Sequence, residues 1–268
     1  MQKKTIIRKL TGILCLIISA LLTVMFCSHY VPIFIDYKKS ADLYDNIRKS
    51  NTKDYEKEPD LKAIIPNTVS EIDKYAPIEV DSESLLNENP DYLGWIYIPG
   101  TDISYPVVKS ADNSDYLHTD FHGSYSFPGT IFMDSRCMSG VLNHHSILYG
   151  HNMNNGTMFA GLKHFLEQEY LDDHQFFWFI TPKYKLLYQI FSVCYADPYD
   201  SVQYGIDGFD YKDNTQFGEA MNAVKKQSLV QTYADSIEDT AYVMSLSTCT
   251  SDSSHRYVVH AILIRNSN

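Results

Sequence analysis

The chain has 268 residues, of which 44% are hydrophobic and 21% charged, with 21 tyrosines. That length can bury one sizeable domain and leave an appendage. The net charge of −11 includes Lys3, Lys4, Arg8 and Lys9, the only charged residues before Asp36, so the remainder carries −15. So acidic a body argues against a nucleic-acid partner, whose binding rests on neutralised phosphates.

Residues 1–9 form a basic tail, and residues 10–35 contain no charged side chain when His29 is taken as neutral. A helix rising about 1.5 Å per residue would carry this run roughly 39 Å, beyond a hydrocarbon core of about 30 Å. All nearby basic residues precede it, so it is expected to be a transmembrane signal-anchor with a cytoplasmic N-terminus and the acidic body outside. The run is too long for a cleaved signal peptide, and no small-x-small site closes it. Val24-Met25-Phe26 before Cys27 also lacks the small residues of a lipoprotein cleavage box.

Residues 36–62 are polar and charge-mixed, with Leu43 and Ile47 one helical turn apart. A solvated helix with a narrow apolar stripe fits this pattern, and residues 36–84 are expected to form a helical stalk. Asn89-Pro90-Asp91 reads as a turn opening the main domain, taken as residues 85–268.

There, short apolar runs alternate with turn signals. Gly94 to Ile98 and Ile103 to Val108 flank Pro99-Gly100 as a hairpin, followed by Thr130 to Met133 and Ser146 to Tyr149. Phe176 to Thr181, Lys185 to Tyr195, Tyr242 to Ser247 and Tyr257 to Ile264 complete eight strand candidates, which predict a mostly β, closed eight-stranded barrel. Thr157 can cap a helix bearing Met158, Phe159, Leu162, Phe165 and Leu166, and Asn214 another bearing Phe217, Ala220, Met221 and Val224. The second falls in a connection of residues 197–241, long enough to be expected as a wall or lid of a site.

Of five cysteines, Cys15 and Cys27 lie in the expected anchor, leaving Cys137, Cys194 and Cys249 outside it. An odd number leaves at least one thiol without an intramolecular disulfide. Cys249 ends the apolar run Ser245-Leu246-Ser247-Thr248-Cys249, Arg256 opens the next run, and His151 closes Ile147-Leu148-Tyr149-Gly150-His151. Thiol, imidazole and guanidinium at strand ends are the parts of a cysteine acyl-transfer site, in which the thiol needs a base and the tetrahedral intermediate needs donors. Arginine stays protonated, so the proton transfers fall to a histidine. His255 and His260 flank Arg256 and compete with His151 for that role, although His260 reads as a packed strand residue and His255 as a loop residue. Asp252 reads as a turn residue.

Tyr149-Gly150-His151-Asn152-Met153, Leu246-Ser247-Thr248-Cys249 and Arg256-Tyr257-Val258-Val259-His260 resemble the signature segments of sortases, membrane-anchored cysteine transpeptidases of Gram-positive bacteria. Gly94-Trp95-Ile96, Tyr105-Pro106-Val107-Val108 and Gly129-Thr130-Ile131-Phe132-Met133-Asp134 resemble class B sortases in particular, over roughly residues 85–265. The resemblance implies Cys249 as nucleophile, His151 as general acid/base, Arg256 as oxyanion or substrate-positioning group, and Ser247 in the substrate groove. It also implies cleavage after threonine of a C-terminal sorting signal in secreted proteins, then transfer from a thioester to a peptidoglycan precursor or cross-bridge amine, on the cell-wall side of the membrane. A pilin-polymerising sortase and a non-enzymatic surface binding module are the alternatives.

No cofactor and no metal are expected. His144-His145 would point different ways on a strand, Asp172-Asp173-His174 reads as a solvated loop or helix end, and Asp207, Asp210 and Asp213 lack the alternate spacing of an EF-hand.

Overall fold

The computed structural model describes residues 2–55, 74–138, 140, 143–206 and 210–264, with residues 2–10 described by backbone alone. It divides into two compact units, Met1–Asp42 and Leu43–Asn268. Helix α1 runs from Gln2 to Asn51. Among the described residues it is the one helix long and apolar enough to cross a membrane, and Leu16, Val24, Met25 and Phe34 on it are exposed. An apolar helix of this kind suits a membrane anchor.

In the second unit, the end of α1 buries Ile47 of the expected stripe together with Tyr44, while Leu43 stays partly exposed. The Tyr44 hydroxyl donates to the Gly129 carbonyl over 2.6 Å, and its ring meets Tyr105 edge-on. Burial pushes this phenol well above its ordinary range, so it remains a donor. Strands β1 (Thr52–Asp54) and β2 (Ile78–Val80) pair antiparallel, and α2 (Ser82–Glu88) starts where Asp81 caps the Ser84 N–H.

Eight further strands close a barrel: β3 (Tyr92–Tyr97), β4 (Ser104–Val108), β5 (Ile131–Met133), β6 (His145–Tyr149), β7 (Phe176–Ile180), β8 (Lys185–Ala196), β9 (Val243–Cys249) and β10 (Arg256–Leu263). Around the barrel the order is β10-β8-β7-β3-β4-β5-β6-β9. Each of the eight apolar runs supplies one strand. β4–β5 and β6–β9 pair in parallel, and the other neighbours pair antiparallel. Closure leaves no free edge on the barrel, and Trp95, Phe179, Leu187 and Val259 on its strands are buried.

Both expected helix starts need correction. Thr157 caps nothing helical: Met158 has φ 57°, and a 3₁₀ helix follows at Ala160–Leu166 without a side-chain cap. Its apolar residues are still used, since Met158, Phe159, Leu162 and Phe165 are buried. Helix α3 (Gln168–Asp173) leads into β7. Helix α4 (Asn214–Lys226) is capped by Asp213, whose carboxylate accepts from the Gln216 N–H over 2.9 Å, and not by Asn214. Phe217, Met221 and Val224 of α4 pack with Phe191 of β8 and Val243 of β9.

Candidate active site

Cys249, the last residue of β9, pairs directly across the antiparallel ladder with Arg256, the first of β10. Side chains alternate along a strand, so Ser245, Ser247 and Cys249 share one side of β9. Every cysteine in the chain is unpaired, but the three outside the apolar helix differ in access. Cys137 and Cys194 are buried, and burial pushes their thiols up to about 11 and about 12. Cys249 is partly exposed. Thiolate chemistry needs a reachable sulfur, which among these three leaves Cys249.

Strand β6 runs parallel to β9 with Tyr149 opposite Ser247, and the Gly150 N–H donates to the Ser247 carbonyl over 3.2 Å. His151 therefore emerges beside the end of the cysteine strand. A Cβ at position 150 would run into the end of the Ile131 side chain and come within 2.9 Å of the Phe159 ring, so a larger residue there requires these neighbours to move.

The His151 Nε2 lies 2.9 Å from the Leu117 carbonyl. A carbonyl only accepts, so Nε2 carries the hydrogen and a neutral ring keeps its lone pair on Nδ1. The ring is stacked against His118 at 5.2 Å and against Phe127 at 5.7 Å. Burial pushes the His151 imidazole below its ordinary range; the Leu117 carbonyl opposes the shift and the His118 charge adds to it. Gly129 admits this arrangement with φ 60°, because its missing side chain lets the Tyr116 and Leu117 carbonyls approach.

Asn152, next after the histidine, donates from Nδ2 to the Cys249 carbonyl over 2.8 Å. The Arg256 guanidinium donates to the loop carbonyls of Ser253 and His255, at 3.3 and 3.0 Å. Cys249, His151, Arg256 and Ser247 all line a single cleft of about 250 Å³, so the four candidates come together. From the 197–241 connection the cleft wall receives Pro198 and Tyr204, and the Tyr204 hydroxyl bonds the Ser247 hydroxyl over 2.8 Å. Arg136 ties that wall back, bonding the Tyr204 carbonyl at 3.3 Å while pairing with the buried Asp134 at 3.0 Å. Burial alone would raise the Asp134 carboxyl, but the Arg136 hydrogen bonds and charge outweigh it and hold the group below its usual range.

The competing histidines stand elsewhere. His255 is exposed and bonds Ser254, while His260 is fully buried with Nδ1 2.6 Å from Ser245 Oγ. Asp252 accepts from Thr250 and Ser254 within its own loop. His144 bonds the Ala241 carbonyl, and the buried His145 lies between the Gly205 carbonyl and Ser245, so the adjacent pair does diverge. Asp210 pairs with Arg136, Asp213 caps α4, and Asp207 lies outside the described residues. Among the described residues no group of three or more His, Cys, Asp or Glu side chains could hold a metal ion.

The partners of His151 were not foreseeable from its own segment. Leu117, His118 and Phe127 sit in a loop-rich stretch with no strand pattern.

A barrel of this topology with a reachable thiol opposite an arginine and beside a histidine defines a cysteine acyltransferase fold, and comparison with known proteins agrees. A family model for the sortase domain matches residues 96–264. The chain is 33% identical to sortase B of Staphylococcus aureus over 187 residues, 68% of this chain and 74% of that protein. It is 29% identical to sortase B of Listeria monocytogenes over 237 residues, 87% of this chain and 92% of that protein. Among solved structures, a Staphylococcus aureus sortase B–substrate complex superposes with a TM-score of 0.68 at 27% identity, covering 87% of this chain and 100% of that one. The chain belongs to the sortase family of cysteine transpeptidases. Within that family it falls in class B.

Proposed function

We propose that this sortase cleaves a C-terminal sorting signal after its threonine in secreted proteins and joins the new C-terminus to a peptidoglycan amine, on a precursor or a cross-bridge. The observation that carries the reading is the cross-strand pairing of Cys249 with Arg256 in the cleft that also receives His151. His151 Nδ1 takes the Cys249 thiol proton as the sulfur attacks the threonine carbonyl carbon, and then gives that proton to the departing amide nitrogen as the C–N bond breaks. The acceptor amine then attacks the thioester carbonyl, His151 takes the amine proton, and as the C–S bond breaks it passes that proton to the departing sulfur to return the thiol and the neutral ring. Arg256, freed from its loop carbonyls, offers its fork to the substrate carbonyl or oxyanion. Ser247 lines the cleft and is the groove residue of this reading.

The apolar helix holds the enzyme in the membrane with the basic tail of residues 1–9 in the cytoplasm and the barrel on the cell-wall side. The test is a peptide-library cleavage assay on the full chain in detergent micelles, read by mass spectrometry with candidate amines present. Amide-linked product is expected from the natural chain and none from Cys249→Ala. Undiminished turnover in that variant sinks the reading, and hydrolysis with every amine supplied sinks its acceptor half.

A further inference from the structure

His118 takes no part in the chemistry above, yet its ring lies face to face with that of His151, centroids 5.2 Å apart and planes 18° apart. The pair is held from a third side. Phe127 stacks on His118 at 5.2 Å and on His151 at 5.7 Å, so the three rings form one cluster. His118 is itself pinned: its Nδ1 lies 2.9 Å from the Phe127 carbonyl, which can only accept, so Nδ1 carries a hydrogen. The preceding residue supplies the Leu117 carbonyl that receives the His151 Nε2–H. Residues 117 and 118 therefore grip the same imidazole twice, once at its edge and once on its face.

We propose that His118 is a positioning residue for the acid–base histidine, holding the His151 ring so that Nδ1 serves the cleft and, by taking up a proton of its own, governing how readily His151 takes one. The inference rests on His151 being the acid–base group. Histidine charge changes near neutral pH, and two imidazolium rings about 5 Å apart repel strongly enough to move a titration by about 0.5 to 2 pH units, depending on how much water screens them. The other groups around the cleft leave this pair to act on each other. From β9 comes Cys249, from β10 the permanently charged Arg256, and from β6 and the 197–241 connection the phenols of Tyr149 and Tyr204, which burial keeps neutral. Among the described residues no carboxylate hydrogen-bonds either imidazole.

The experiment is a histidine-resolved NMR titration of the full chain in detergent micelles, with the His151 signal assigned by its loss in His151→Gln. The natural chain is compared with His118→Phe, which keeps a stacked ring without the charge, and His118→Ala, which removes both. The expected result is a His151 midpoint raised by about 0.5 to 2 pH units in both variants, with the Nε2–H tautomer kept in the Phe variant and mixed in the Ala variant. A pH profile of kcat/KM for peptide cleavage should move with it in His118→Phe. Unchanged His151 midpoints in both variants overturn the inference and leave the acid–base reading intact. A moved midpoint with an unmoved rate profile overturns the acid–base role of His151 instead, and with it the part played by His118.

Discussion

The Asn152 side chain holds the main chain of Cys249, its amide donating to the cysteine carbonyl over 2.8 Å. The residue after the histidine thus fixes the backbone that carries the thiol, locking two strand ends into one geometry. Asn152→Ala should lower kcat about 10- to 100-fold with KM little changed, since small displacements of reacting groups are expensive. Its stability loss should stay near 1 kcal/mol, a fall in melting temperature of about 2 to 4 °C. Steady-state kinetics beside a melting curve separate the two effects.

Arg256 offers a planar fork where lysine offers a point charge. Arg256→Ala is expected to reduce kcat/KM about 100- to 1,000-fold, the usual loss on removing one donor to an oxyanion. Arg256→Lys should recover only part of it. Equal activity of the lysine and natural enzymes would show that charge alone suffices.

Gly150 precedes the histidine where a methyl group would strike Ile131 and the Phe159 ring. Gly150→Ala should destabilise the barrel by about 1 to 3 kcal/mol and displace His151 from the cleft. Urea unfolding and peptide cleavage should therefore fall together. Full activity in the alanine variant would mean that the strand end tolerates the shift.

Stability should weaken in acid through His145. Burial drops this imidazole from 6.5 to about 4, with the Gly205 carbonyl opposing, so the folded chain refuses a proton that the unfolded chain accepts. Its contribution is complete above pH 6.5 and is lost as pH falls towards 4, about 3 kcal/mol in all. His260, lowered by burial, acts in the same direction. Urea midpoints between pH 7.5 and 4.5 should decline, and His145→Gln should flatten the slope.

Tyr204 braces the cleft wall through its hydroxyl bond to Ser247. Tyr204→Phe and Ser247→Ala should each raise KM several-fold with kcat nearly kept. Because they break the same bond, the double variant should fall short of the sum. Strict additivity would show that each residue meets the substrate independently.

The strands were legible because each is a short apolar run between turn signals, and β9 and β10 carried Cys249 and Arg256 at ends the pattern itself marked. Helix starts were less so. Asp213 and Asn214 are both good caps, and only the backbone decides between them. Thr157 stands before an apolar face that is real, but the chain turns through a left-handed Met158 and tightens into 3₁₀ geometry. The grip on His151 was hidden for a different reason. Leu117 acts through its carbonyl, which every residue possesses, and it lies 34 residues from the histidine it orients.

The parallel pairing of β6 with β9 has a consequence for how reactivity arises. Parallel neighbours require a long crossover, and 97 residues separate Asn152 from the Cys249 carbonyl it holds. The histidine strand is complete long before the cysteine strand exists, and β9 is the strand that bridges β6 to β10. A chain ending short of Val243 has its imidazole but no thiol on a strand, and one ending at Cys249 still lacks the guanidinium opposite. Catalytic competence is thus a property of the closed ring, since the sulfur gains its imidazole and guanidinium neighbours only when β9 is paired on both sides.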